Sequence, residues 1–315
     1  MQLITGGLGF IGKHTARAFI EAGEKVVLTA NRNRNVPAFL EGEVDKNLFV
    51  ESVDLTNPHG VIEVLQKHEA TGIVHLAAPP VGVLSPSDDY RINMNSLINI
   101  LEGAHILDIK RVSIASSSTP YLDLPTGPFT EDMPLLLKSG GSTPAYKKAY
   151  EAIAGHFSDR TGVEVVFPRP GGVYGPGYTS MVNVHSRLVH AAVKGVPGPL
   201  KGRIPNPHAE DPVQCCYVRD CARAIQMLQM APELKHREYN ITIGHLVTAT
   251  DIAEAVKNVV PDFEYKLEPG KGPRYIPDAY LDITRIRQGL GFEPGYTLEE
   301  TIADYIGWLR AGNDN

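Results

Sequence analysis

Leu3-Ile4-Thr5-Gly6-Gly7-Leu8-Gly9-Phe10-Ile11-Gly12 runs from an apolar strand end, through glycines at 6, 9 and 12, into an amphipathic stretch that Gly23 closes. The spacing has a physical logic. The first glycine permits a tight turn, the second lets a pyrophosphate approach the backbone, and the third allows a helix to pack closely on the sheet. The helix N-terminus then offers free amides and a partial positive charge to phosphates. Glycine-rich turns often do nothing but turn; a strand before and a helix after are the context that makes this one a phosphate site.

Outward from that turn, short apolar runs alternate with helical patterns, as in a doubly wound α/β fold with a parallel sheet. Strands are predicted at 26–29, 48–53, 72–77, 111–115 and 163–167, and helices at 11–22, 58–69, 90–107 and 143–160. Asn57 is a cap for the second of these helices. Beyond residue 170 the alternation breaks into glycine- and proline-rich chain around one helix, 182–194, a composition suited to loops on a rigid scaffold. Helices at 218–230, 250–259 and 298–309 and a strand at 239–243 follow. The expected division is a nucleotide-binding domain of 1–170, rejoined by 213–243, and a small C-terminal α/β substrate lobe of 171–212 and 244–315.

Composition narrows the partners. In 315 residues, 43% are hydrophobic and 21% charged, which suits a soluble globular chain with a sizeable core. The net charge of −6 contains no basic block, so no nucleic-acid partner is expected. No apolar run is long enough to span a membrane, and the N-terminus shows no leader. Cys215, Cys216 and Cys221 have no distant partner, so they read as buried thiols of a reducing compartment rather than a disulfide or metal set. A cytoplasmic location and no bound metal are expected.

Further segments carry a resemblance: Asp54-Leu55, His75-Leu76-Ala77-Ala78, Asn93, Ser116-Ser117-Ser118, Lys147 with Glu151, and Arg169-Pro170-Gly171-Gly172-Val173-Tyr174-Gly175-Pro176-Gly177. Later ones are Tyr217-Val218-Arg219-Asp220, Tyr239-Asn240-Ile241 and Leu290-Gly291-Phe292-Glu293-Pro294. In this order, with the glycine turn, the chain resembles the epimerase/dehydratase group of the extended short-chain dehydrogenase/reductase family. The resemblance implies a Rossmann-like domain, a small-molecule substrate, a nicotinamide cofactor and a homodimer through two long helices. The implied cofactor contacts are Gly6, Gly9, Phe10, Ile11, Gly12, Asp54, Leu55, Leu76, Ala77, Ala78, Asn93, Lys147 and Pro170. Asp54 is placed to accept from an adenine amino group, its plainer role being a turn cap. His75 reads as a packed core histidine.

Relatives that use NAD carry an acidic residue at the end of the second strand, to bond the ribose hydroxyls. Here that position is Ala30, followed by Asn31-Arg32-Asn33-Arg34-Asn35. An arginine such as Arg32 can clamp a 2′-phosphate, so NADP is the expected cofactor with NAD the alternative; two solvated surface arginines are the plainer reading.

The family's chemistry uses a tyrosine to move the hydroxyl proton, a lysine to hold ribose and lower the tyrosine pKa, and a serine to orient the substrate oxygen. Ser117, four residues before Tyr121, is that serine, and Lys147 is that lysine, by its distances from Glu151, Gly162 and Arg169. Four residues before Lys147, where the tyrosine belongs, stands Thr143. Three explanations stay open: Tyr146 or Tyr174 substitutes; another group of the lobe or substrate is the base; or the protein is a non-catalytic NAD(P)-binding regulator. The reaction expected of an enzyme is redox, epimerase or dehydratase chemistry at a hydroxyl or carbonyl carbon of a small polyol, sugar derivative or hydroxy acid. His185, Arg187, His190, Arg203 and His208 are candidate pocket residues, each with an ordinary surface role as the plainer reading. The stretch Glu210-Asp211-Pro212-Val213-Gln214 lacks the arginine usual in nucleotide-sugar enzymes.

Overall fold

A computed structural model describes residues 1–30, 34–79, 82–202 and 204–313. The chain forms two compact units. The first holds Met1–Asp123, Pro134–Arg169 and Ala222–Tyr239, the second Leu124–Met133, Pro170–Cys221 and Asn240–Asn315. The boundaries differ from the sequence division. Residues 124–133 leave the nucleotide-binding unit, and only 222–239 rather than 213–243 rejoin it.

The first unit begins with β1 (Gln2–Thr5), α1 (Phe10–Glu21), β2 (Val26–Ala30), α2 (Ala38–Glu41) and β3 (Leu48–Ser52). It continues with α3 (Pro58–Lys67), β4 (Gly72–His75), α4 (Pro86–Ile106), β5 (Arg111–Ile114), α5 (Ser142–Thr161) and β6 (Glu164–Pro170). The chain then runs through β7 (Val173–Tyr174), α6 (Val184–Lys194), β8 (Cys216–Tyr217), α7 (Val218–Met230) and β9 (Glu238–Ile241). It closes with α8 (Ala249–Val259), α9 (Thr284–Leu290) and α10 (Leu298–Arg310).

Seven strands form one sheet in the order β3-β2-β1-β4-β5-β6-β9. The register explains why it buries well. Val27, Leu3, Ile73, Val112 and Val165 are successive cross-strand partners, so one apolar row crosses five strands. That row packs with Val61, Val64 and Leu65 of α3, Leu97 and Leu101 of α4, and Ala154 of α5. Neighbouring residues along a strand face the opposite side. There Ser113 Oγ donates to Gln229 Oε1 of α7 at 2.6 Å, so helices cover both faces. The strand order reverses between β1 and β4, and the glycine turn leaves β1 at that switch, where open α/β sheets bind ligands.

Three departures from the predicted elements have local causes. The fourth helix starts at Pro86 rather than residue 90, because Ser85 Oγ caps it by accepting from Asp88 N (3.2 Å). The sixth strand runs on through two prolines to Pro170. A proline keeps its carbonyl, and Pro168 O accepts from Ser116 N at 2.8 Å. Short elements with little pattern of their own (α2, α9, β7, β8 and a 3₁₀ turn at Thr119–Tyr121) are additions.

In the second unit α6, α8 and α10 pack on one another, with Leu188, Ile252, Ala253, Ile302 and Tyr305 buried. Cys215, Cys216 and Cys221 are free thiols buried in this unit.

Candidate functional site

The glycines of the first turn are of two kinds. A Cβ on Gly12 would lie 2.3 Å from Gly6 O and 2.7 Å from Gly7 Cα, and one on Gly6, at φ +64°, 2.9 Å from Ala77 Cα. Those two glycines are required by the fold itself. Gly9 is exposed, has an ordinary φ of −72° as the cap of α1, and a Cβ there would meet only Gly6 O, at 3.0 Å. Its missing side chain leaves the α1 N-terminus open to a pyrophosphate, so the turn fits a dinucleotide.

Thr5 fastens the neighbouring loop. Its Oγ1 accepts from Leu76 N and Ala77 N at 3.2 Å each, and its own proton goes to His75 Nδ1 at 2.8 Å. Leu76 and Ala77 therefore pass close to the turn through backbone. Burial, with Lys147 nearby, drops His75 to a pKa of about 3, so it is a neutral core residue. Asp54 lies at the surface, and its Oδ1 accepts from Thr56 N (2.9 Å) and Thr56 Oγ1 (2.8 Å). Leu55 O accepts from Asn99 Nδ2 at 2.9 Å. Phe10 and Ile11 are half-buried on the first turn of α1; Ala78 is exposed and Pro170 buried. Arg32 and Arg203 lie outside the described residues. Arg34 is exposed.

The serine loop and α5 are held together by a buried ion pair. Glu151 accepts from Arg169 Nε (2.9 Å) and Nη2 (2.6 Å) and from Ser116 Oγ (2.5 Å). Arg169 Nη1 also donates to Tyr121 OH at 2.6 Å. One turn before Glu151, Lys147 Nζ donates to Ala115 O at 2.6 Å and sits 5.0 Å from the Tyr150 ring centre. Ala115 is two residues before Ser117, so the lysine is anchored on the backbone that leads from β5 to the serine. Enclosure outweighs the pull of Glu151 and brings the lysine pKa down to about 8. Ser117 Oγ accepts from Thr119 N at 3.2 Å and keeps its proton to donate. Thr143 is half-buried in the first turn of α5, one turn from Lys147.

Neither candidate substitute tyrosine suits the role. Burial and the neighbouring Asp89 carboxylate raise the Tyr146 pKa, making it a poorer proton donor than an ordinary phenol. Tyr174 belongs to the second unit, where its ring stacks on His185 at 3.8 Å and its hydroxyl pairs with Thr301 Oγ1 at 2.6 Å. Asn93 is also committed. It donates to Asp89 O and Oδ1 (2.7 and 2.9 Å) and accepts from Tyr150 OH (2.6 Å), bridging α4 and α5.

Of the lobe candidates, His185, Arg187 and His190 are buried. His185 Nε2 lies 3.1 Å from Cys215 Sγ, with its pKa lowered by burial to about 3. His190 pairs with Tyr305 at 3.2 Å, and Arg187 is held by Leu200 O at 2.6 Å, Pro205 O and Asn206. His208 Nδ1 lies 3.3 Å from Pro269 O. Among the described residues, no group of three or more His, Cys, Asp or Glu is placed to hold a metal, and no helix is long and apolar enough to cross a membrane.

Sequence reading missed the Glu151–Arg169 pairing. Arg169, just beyond the predicted buried strand 163–167 and inside β6, was its signal, since such a charge needs a carboxylate.

Known proteins share this fold. The profile of the NAD dependent epimerase/dehydratase family matches residues 2–242. A dTDP-glucose 4,6-dehydratase of Xanthomonas campestris pv. campestris is 26% identical, over 97% of this chain and 92% of its own. Protein CapI of Staphylococcus aureus is 24% identical over 97% of each. Among solved structures, an L-threonine dehydrogenase from Clostridium difficile superposes with a TM-score of 0.82 (24% identity, 100% and 98% of the chains). A UDP-glucose 4-epimerase from Thermotoga maritima, solved with UDP-glucose, gives 0.81 (21% identity, 99% of each). With its switch-point glycine turn, its parallel sheet and a family match over most of its length, this chain belongs to the NAD-dependent epimerase/dehydratase family of extended short-chain enzymes.

Proposed function

We propose that the protein binds NADP in preference to NAD. We propose further that it acts on a hydroxyl or carbonyl carbon of a small polyol, sugar derivative or hydroxy acid, by net redox or by transient oxidation. The observation that supports this is the hydrogen bond from Lys147 Nζ to Ala115 O, two residues before Ser117, beside the Glu151–Arg169 pair that holds Ser116. When bound, the nicotinamide supplies hydride acceptance and return. Ser117 donates to the substrate oxygen, and Lys147 holds the ribose hydroxyls. With the Tyr146 pKa raised and Tyr174 committed, Lys147 is also the titratable group fit to take the hydroxyl proton near neutral pH, with Thr143 one turn away to relay it. The absence of an acidic residue at Ala30 supports the NADP preference. Gly6, Gly9, Phe10, Ile11 and Gly12 receive the pyrophosphate, Asp54 and Leu55 the adenine, and Leu76, Ala77, Ala78 and Pro170 flank the cofactor.

A homodimer through α4 and α5 completes the proposal, supported by the exposed apolar side chains Tyr90, Ile98, Ile106 and Ile153 on those helices. Reduced, buried thiols suit a cytoplasmic setting.

The test offers UDP-glucose, dTDP-glucose, L-threonine and a panel of polyols and hydroxy acids with each dinucleotide. Absorbance at about 340 nm, where reduced nicotinamides absorb, follows net redox, and proton NMR follows epimerisation or dehydration. Lys147→Met should lower turnover by roughly 10²-fold or more, and Tyr146→Phe should leave it near parental. A second reading, a non-catalytic NAD(P)-binding regulator, is favoured by Thr143 alone. Tight dinucleotide binding without turnover of any panel member would put that reading first.

A further inference from the structure

Lys13 follows Gly12 directly, on the first turn of α1. Its ammonium is half-buried, and burial alone pulls its pKa below the ordinary lysine value. No carboxylate or side-chain acceptor pairs with it among the described residues. A cation withdrawn from water without a counter-charge costs free energy, which a visiting anion would return.

Its surroundings indicate which anion. On the helical repeat Phe10, Lys13, His14 and Arg17 share one side of α1. That side faces Phe39 of α2. The His14 ring stacks on Phe39 with centres 5.4 Å apart, and Arg17 Nη1 reaches Phe39 O at 3.5 Å. β2 ends at Ala30, one residue beyond Thr29, the register partner of Thr5 at the end of β1. Lys13 thus stands at the corner between the phosphate turn and the end of β2, the corner an adenosine ribose occupies when its pyrophosphate rests on the turn. Ala30 offers only a methyl there, where a carboxylate would repel a phosphate.

We propose that Lys13 is the cation that receives the 2′-phosphate of NADP, so that the first turn of α1 sets the choice between the two nicotinamide dinucleotides. This rests on the dinucleotide site proposed above and adds a residue to it. Arg32 and Arg34 become auxiliary charges rather than the sole determinant.

Calorimetric titration of the parent protein, Lys13→Gln and Lys13→Arg with NADP and NAD tests it, with 2′-AMP and 5′-AMP as fragments lacking the pyrophosphate. Lys13→Gln should weaken NADP and 2′-AMP by roughly ten- to a hundredfold, the worth of one charge-assisted hydrogen bond, and change NAD and 5′-AMP by less than about threefold. Lys13→Arg should stay close to the parent. Equal losses for both dinucleotides, or no loss for NADP, would overturn the assignment. An unchanged melting temperature in Lys13→Gln separates these results from misfolding. A parent that binds NAD but not NADP sinks this inference and leaves the enzyme reading standing; a parent that binds neither sinks both.

Discussion

Replacing Glu151 by Gln keeps the side-chain volume and removes one charge from a pair that water barely reaches. Arg169 is 3% exposed, and it would keep Tyr121 OH at 2.6 Å but lose the carboxylate that takes its Nε and Nη2. The glutamine can orient its amide oxygen toward one of these donors or toward Ser116 Oγ, not toward all three. Removing one partner of a buried pair costs roughly 3–5 kcal/mol, against roughly 5–15 kcal/mol for the whole stability of a typical domain. The Glu151→Gln protein should therefore unfold at clearly lower urea, followed by far-UV circular dichroism. The double variant Glu151→Gln/Arg169→Met should recover most of the loss, because the penalty falls on the unpartnered guanidinium and not on the absent pair. Since Glu151 also raises the Lys147 pKa, the single substitution should shift any amine-dependent limb of a pH–rate profile to lower pH. A loss below about 1 kcal/mol, or a double variant no better than the single, would refute the reasoning.

Gly9→Ala should weaken dinucleotide binding at least tenfold with little change in stability, whereas Gly12→Ala, whose Cβ meets backbone, should cost about 1–3 kcal/mol; calorimetry and urea unfolding separate the two. Turnover should rise with pH through about 8 as Lys147 loses its proton, and the pH profile of Tyr146→Phe should match the parent's. His75 and His185 both have folded pKa values near 3, far below the unfolded value of about 6.5. Their contribution to stability is complete above that unfolded value and is lost as pH falls toward 3, each by up to about 1.4 kcal/mol per pH unit, and His75→Gln should flatten the acid limb of stability measured by urea unfolding.

The parts of the fold legible in the sequence are those with a period. The apolar row through Leu3, Val27, Ile73, Val112 and Val165 shows as short β-branched runs, and the glycine turn shows because two of its three glycines have no steric alternative. The beginning of α4 at Ser85-Pro86 was missed, although a capping serine followed by a first-turn proline is a helix-start signal. β7 and β8 are two residues each and α2 four, too short for any period to register. At the site, spacing singled out Ser117 and Lys147 as candidates. The closeness of Tyr146 to Asp89 was not legible, because it depends on how α4 and α5 face each other across distant sequence. The burial of His185 and Arg187 escaped for the same reason: polar residues at glycine-rich flanks read as surface until their partners are known.

The backbone's repeated passage between the two units limits how the protein can be divided. A gene truncated after residue 170 would appear to deliver the nucleotide-binding half and would in fact omit Ala222–Tyr239. β6 would then be an unprotected sheet edge, having lost β9, and such an edge invites pairing between molecules. Arg111 Nη1 would lose the carbonyls of Leu228, Gln229 and Ala231, at 3.0, 3.0 and 2.5 Å, which it gathers at the end of α7. An autonomous cofactor-binding fragment therefore has to be spliced, with 222–241 joined after residue 170 through a designed linker so that β9 is kept whole, and a simple stop codon will yield an aggregating piece.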